Sequence, residues 1–193
     1  VGASIAPGSD LILEHVGLNP TRDGVITILR AMGADIEVSQ ERTVGGEPVA
    51  DLRIRYAPLR GIDIPVEEVP LAIDELPAIL VAAACAEGVT VLRGAEELRV
   101  KESDRIASMA EGLSQIGIRN TVAPDGITVV GGTPSGGVIT THHDHRIAMS
   151  FAMAALRASD PIIVTDCAHV ATSFPGFAEL AANTGLRLTV TAS

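Results

Sequence analysis

The 193 residues suffice for one compact domain with a genuine hydrophobic core. With 47% apolar residues but only three Phe, one Tyr and no Trp, that core is built from Ala, Val, Ile and Leu, a composition suited to helices packed on sheets. A net charge of -10 excludes a general affinity for nucleic acid, which draws on an excess of Lys and Arg, and any anionic ligand must find a local cationic pocket.

Regular elements alternate along the chain, with turn signals at Gly45-Gly46, Asp125-Gly126 and Gly131-Gly132. A strand is expected over 10–16, then a helix over 22–32 and strands over 34–38 and 51–56. A helix over 75–86 and a strand over 89–92 follow, then a helix over 104–116 whose Ile106, Met109, Ala110, Leu113 and Ile116 fall on one face. The remainder reads as strand 127–130, helix 146–156, strand 161–165, helix 174–183 and strand 186–190. This is an α/β (α+β) pattern.

Three stretches echo one another as helix end, glycine, strand: LRAMGADIEV, LSQIGIRNTV and LAANTGLRLTV, with Gly33, Gly117 and Gly185 where a left-handed residue is expected. A second echo pairs 74–92 with 144–164. Together they suggest three related units, about 1–60, 61–132 and 133–193, in one pseudo-threefold domain.

No apolar run reaches the ~18 residues of a membrane span, and the start lacks the order of a signal peptide, so a cytoplasmic protein without a membrane partner is expected. The opening Val1-Gly2-Ala3, without Met, suggests a piece of a longer chain. Cys85 and Cys167 each sit in an apolar stretch and are expected to be buried, reduced thiols.

The segment Arg99-Val100-Lys101-Glu102-Ser103-Asp104-Arg105 sets cations and acids just before an amphipathic helix. Lys101 and Arg105 share a face if this turn is already helical, and the free amides of a helix start attract anions. Charge pattern alone fits a solvated helix start, its cations pairing with Glu102 and Asp104, at least as well as an anion site. A second helix start, Thr141-His142-His143-Asp144-His145-Arg146, repeats the theme of an arginine beside an acid. Its histidines are spaced poorly for a metal, because adjacent residues point apart, and Asp144 suits a helix cap. Arg is the better donor to carboxylates through its planar fork, and Glu102 and His145 are candidate proton-transfer groups. Asp74, at the opening of an Ala-rich helix, reads first as an N-cap, a role compatible with ligand contact. Ser108, Thr172 and Ser173 lack a nucleophile setting, and neither a Walker A loop nor a GxGxxG after a strand is present.

The block Arg99 to Arg105 and the block Asp144-His145-Arg146-Ile147-Ala148-Met149 resemble the two signatures of the enolpyruvyl transferases of the EPSP synthase type. The resemblance extends through Asn19-Pro20-Thr21-Arg22, Gly33-Ala34-Asp35-Ile36 and Ala171-Thr172-Ser173-Phe174-Pro175, and the wording is closer to the glyphosate-tolerant bacterial branch than to the enteric one. It implies one lobe of an inside-out α/β barrel made of three βαβαββ units, with substrates in the cleft between two lobes. It also implies transfer of the enolpyruvyl group of phosphoenolpyruvate to shikimate 3-phosphate, without metal or organic cofactor. By resemblance, Asp74 and Lys101 contact shikimate 3-phosphate and manage its hydroxyl proton, and Glu102 assists proton transfer at the methylene carbon. Arg105 and Arg146 bind phosphoenolpyruvate, with His145 in support. The sequence departs from the enteric pattern at Thr172, where a lysine is usual, and at Glu97, where an asparagine is usual. The family's G-x-K-S, N-A-G-T and S-x-Q motifs are missing, and the resemblance therefore implies the carboxy-terminal lobe, with an amino-terminal lobe expected as its partner and little turnover expected of the chain alone. A catalytically silent anion-binding domain and a UDP-N-acetylglucosamine enolpyruvyl transferase are the alternatives; the second is disfavoured because this sequence offers no cysteine in a suitable loop.

Overall fold

The most apolar stretch of the sequence becomes the innermost element of the fold. In the computed structural model, which describes residues 1–191, Leu76–Ala84 (α3) is buried on every side except at Ala78, as expected of a helix without a polar face. Against it pack Gly24–Ala31 (α2), Arg105–Gln115 (α4) and His145–Ala154 (α5). The expected face of α4 is the buried one: Ile106, Met109 and Leu113 are fully covered, as is Ile116 just beyond.

Three open sheets among the described residues cover this helical layer. Asp10–Gly17 (β1), Glu47–Arg55 (β3) and Asp35–Val44 (β2) form an antiparallel sheet in the order β1-β3-β2. Val89–Leu92 (β4), Gly126–Val130 (β6) and Asn120–Ala123 (β5) form a second in the order β4-β6-β5. Gly137–Thr140 (β7) and Ile162–Thr165 (β8) pair in parallel. The mixture of helices and sheets is the α/β class expected. Gly2–Ile5 (α1), His169–Ser173 (α6) and Phe177–Asn183 (α7) complete the elements named here. Gly33, Gly117 and Gly185 all take positive φ, at +96°, +78° and +109°, a region a side chain would strain.

Some sequence expectations are corrected. The alternation over 186–190 is not a strand: those residues pair with no strand among the described residues, and the inward residues Leu186 and Leu188 pack on Ala152 and Ala181 instead. The helix expected over 174–183 starts only at Phe177, because Pro175 restricts the residue before it and Gly176 turns the chain at φ +83°. Strand β7 was not read from the sequence. Cys85 and Cys167 are both free; Cys85 is half-buried, its thiol pushed up to about 11 by burial. Cys167 is exposed rather than buried, since it lies in the loop after β8 where Asp166 takes φ +54°. No helix among the described residues is long and apolar enough to cross a membrane.

Candidate functional site

Two helices start side by side, each capped by an aspartate. Asp104 Oδ1 accepts from the Ala107 amide at 3.0 Å and opens α4. Asp144 Oδ1 accepts from the amides of Arg146 and Ile147 at 2.9 and 3.4 Å and opens α5, as the sequence predicts. The second oxygen of Asp144 turns to the neighbouring helix, accepting from Arg105 Nε at 2.8 Å and from Ser103 Oγ at 3.1 Å. Asp144 is 0% exposed and the Arg105 side chain 1%, so this is a buried ion pair. Burial pushes the Asp144 carboxyl up, but the Arg105 hydrogen bond and charge, with the two helix amides, outweigh it and hold the group below its usual range.

Arg105 is the hub. Its Nη2 pairs with Glu102, and its Nη1 lies 3.4 Å from Asp74 Oδ1. Arg146, the second residue of α5, donates to the backbone oxygen of Asp74 at 3.1 Å, stands 3.5 Å from Asp74 Oδ2, and is 3.8 Å from Glu75. A further guanidinium, Arg22, donates to Asp74 Oδ2 at 2.8 Å. Asp74 is therefore not the cap of α3: Glu75 holds that position without a side-chain bond, while the Asp74 carboxylate faces three arginines. Arg22 was not singled out from the sequence as a site residue; its only signal was its place in the Asn-Pro-Thr-Arg turn.

Lys101 has extended backbone (ψ -159°), so the turn is not yet helical there and the condition for sharing a face with Arg105 is not met. Its ammonium pairs with Glu97, the residue at which the sequence departs from the enteric pattern. Arg99 plays a structural part, with Nη1 on Asp104 at 2.7 Å and its other nitrogens on the carbonyls of Ala123 and Pro124, also at 2.7 Å. The pairs that a solvated helix start predicts thus exist; the burial of Arg105 is what that picture does not supply.

The histidines go separate ways. His145 is half-buried on the first turn of α5 and makes no side-chain hydrogen bond among the described residues. His142 and His143 are exposed, His142 on Glu111 at 3.0 Å and His143 edge-on to His169 with ring centres 5.5 Å apart. No group of three or more His, Cys, Asp or Glu among the described residues is arranged to hold a metal. Next to Asp74 and Arg146 opens a hollow of about 150 Å³, lined also by Met149 and Phe177. That is smaller than the few hundred Å³ usual for a small-molecule pocket, whereas a hollow of about 380 Å³ is lined by Glu102, Ser103, Asp104 and His142.

Comparison with known proteins gives a consistent picture. A family model described as EPSP synthase (3-phosphoshikimate 1-carboxyvinyltransferase) matches residues 1–180. A 3-phosphoshikimate 1-carboxyvinyltransferase of Alkalilimnicola ehrlichii is 65% identical over 190 residues, covering 98% of this chain and 43% of the relative. Among solved structures, EPSP synthase of Acinetobacter baumannii superposes with a TM-score of 0.97 at 56% identity, over 99% of this chain and 45% of that one. The enolpyruvyl transferase NikO of Streptomyces tendae, at 20% identity, shares the fold with a TM-score of 0.73, over 100% of this chain and 42% of that one. The chain spans less than half the length of each of these relatives.

Proposed function

Because the chain belongs to the EPSP synthase family, we propose that it is one lobe, the carboxy-terminal one, of an enzyme that transfers the enolpyruvyl group of phosphoenolpyruvate to shikimate 3-phosphate. The lobe consists of three related units, about 1–60, 61–132 and 133–193, and works with an amino-terminal partner lobe. The observation that carries the reading is the buried Arg105, anchored by Asp144 and converging with Arg146 on the same carboxylate. In a chain of net charge -10, such a concentration of guanidinium groups is what a substrate bearing both a phosphate and a carboxylate needs.

Arg105 and Arg146 receive the phosphate and carboxylate of phosphoenolpyruvate, Glu102 and Asp74 yielding their hydrogen bonds as it enters. Lys101 and Asp74 face shikimate 3-phosphate, and Asp74 takes the proton of its reacting hydroxyl. Glu102, protonated once its Arg105 contact has been given up to the substrate, delivers its proton to the methylene carbon as the hydroxyl oxygen adds to the adjacent carbon, giving a tetrahedral intermediate. Glu102 then takes a methyl proton back as the phosphate leaves with the proton held by Asp74, which restores the double bond in the product and both carboxyl groups to their starting states. His145, at the start of α5 beside Arg146, supports the anion wall. Fixed cations stabilise the phosphate and carboxylate at every stage, an electrostatic contribution that needs no metal or organic cofactor. Free cysteines at 85 and 167 fit a reducing, cytoplasmic setting.

The test is reconstitution. Phosphate release from phosphoenolpyruvate and shikimate 3-phosphate is expected to be near zero for the chain alone and to appear when a complementary lobe is added. Arg105→Gln is expected to abolish it, by about 100-fold or more if this cation is used in the transition state. Turnover by the chain alone near that of a whole enzyme would overturn the half-enzyme reading, and silence after complementation would overturn the activity. Because Lys101, Arg105 and Arg146 are each paired with acids of the chain itself, a resting anion-binding domain is the second reading. Phosphoenolpyruvate binding without turnover in the complemented protein would favour it.

A further inference from the structure

The turn Asn19-Pro20-Thr21-Arg22 has no task in the reaction just described, yet it is built to deliver one side chain. Asn19 Oδ1 accepts from the Thr21 amide at 3.0 Å and from its hydroxyl at 2.8 Å, and the Arg22 amide donates to the Asn19 carbonyl at 2.8 Å. Asn19 Nδ2 donates to Glu47 at 3.1 Å, tying the turn to β3. Gly24 then lets α2 start directly against the segment leading to Asp74: a Cβ there would lie 2.9 Å from Leu71 Cβ and 3.0 Å from the Glu68 carbonyl oxygen. Arg22, 52 residues from Asp74 in sequence, thereby reaches Asp74 Oδ2 at 2.8 Å.

The geometry around Asp74 is unequal. It is at full hydrogen-bonding distance from the Arg22 side chain, but at 3.4 and 3.5 Å from the side chains of Arg105 and Arg146, beyond the ~2.7–2.9 Å of a charge-assisted bond. The Arg22 side chain is 65% exposed, so the pair does little for folding. We propose that Arg22 is a positioning residue, the counter-cation that draws the Asp74 carboxylate toward itself and keeps it from closing on the guanidinium groups of Arg105 and Arg146, which an anionic substrate must reach. This rests on the reading of Arg105 and Arg146 as the phosphoenolpyruvate arginines. Without Arg22, Asp74 closes on those two side chains and competes with the substrate for them.

A double-mutant cycle tests this, read by phosphoenolpyruvate titration of the chain complemented with an amino-terminal lobe, at about 0.15 M salt, where long-range charge effects are screened. Thermal unfolding midpoints of each variant check folding. Arg22→Gln is expected to weaken binding about tenfold, and Arg22→Lys, which keeps a cation and one hydrogen bond, about twofold. In an Asp74→Asn background, with no competing carboxylate, Arg22→Gln is expected to cost less than about twofold. An equal penalty in both backgrounds would make Arg22 a direct ligand and overturn the proposal. So would an Arg22→Gln variant that binds like the wild type, or one whose loss follows a fall in its unfolding midpoint. If wild-type binding is abolished by Arg105→Gln but untouched by Arg22→Gln, the positioning role alone is lost. If the complemented wild-type protein binds no phosphoenolpyruvate, the reading of Arg105 and Arg146 falls and takes the proposal with it.

Discussion

The molecule contains two sets of arginine–carboxylate pairs with the same chemistry in different surroundings. On the sheet formed by β1, β3 and β2, Arg53 grips Asp10 through two bonds of 2.9 and 2.7 Å, and Arg55 grips Asp35 through two of 2.7 and 2.9 Å. At the starts of α4 and α5, Arg105 reaches Asp144 through a single bond of 2.8 Å. By bond geometry the sheet pairs are the better ones. By burial the order reverses, with side-chain exposures of 45% and 47% for Arg53 and Asp10 against 1% and 0% for Arg105 and Asp144. Water solvates either half of an exposed pair that loses its partner, whereas a buried charge that loses its partner has nothing to replace it. The difference teaches that burial, rather than distance, decides which arginine the fold depends on.

The most direct way to break this comparison is to remove the buried acid. Asp144→Ala leaves Arg105 uncompensated and also strips α5 of its cap, so a loss of about 3–5 kcal/mol is expected in urea unfolding. A loss below about 1 kcal/mol would mean that water reaches Arg105 and that the two regions do not differ.

Acid titration sharpens the same contrast. The Asp144 carboxyl is held below its usual range, so its contribution to stability is fully present above the unfolded value near 4 and is lost as pH falls through the lower folded value. Asp10 and Asp35 are also held low, chiefly by their hydrogen bonds to Arg53 and Arg55, and carry the same sign. Salt separates the two. At about 1 M salt the exposed pairs are screened, and the acid-limb slope that remains should belong to Asp144. Asp144→Asn is therefore expected to flatten the limb at high salt, seen by following the unfolding free energy from about pH 6 to pH 2. An unchanged high-salt limb in that variant would assign the slope to other carboxylates.

The sequence made the two regions readable to different degrees. Helix α4 and the capping role of Asp144 follow from local rules, apolar spacing and an acid before a helix, and both stand in the structure. Asp74 misled for the opposite reason. Its partners lie 52, 31 and 72 residues away, at Arg22, Arg105 and Arg146, and no local pattern reports a contact of that range. The buried pair itself spans 39 residues, so the sequence offered Arg105 as a helix-start cation without revealing that it would be buried. Glu97, seen in the sequence only as a departure at which a contact should not be carried over, finds its physical place as the partner of Lys101. The strand expected over 186–190 failed because alternation records which side chains are covered, and helices cover Leu186 and Leu188 as well as a sheet would.

The smallest expected effect lies on the sheet. Asp10→Asn removes one member of a two-bond pair and leaves Arg53 at a surface where water, and at longer range Glu37, remain available to it. The unfolding midpoint of this variant is expected to match the wild type at both about 0.15 M and about 1 M salt. Arg55, with Asp35 and Glu37 both in reach, keeps the neighbouring strands joined when the first pair is gone. The backbone ladder between β1 and β3, running from Asp10–Arg55 to Gly17–Val49 with a register shift between Leu13 and Val16, is untouched by the change. A loss comparable with that of Asp144→Ala would mean that the sheet pairs act as a network whose members depend on one another. The contrast between the two regions would then be one of connectivity rather than burial, and a cycle with Arg55→Gln would locate it by its non-additivity.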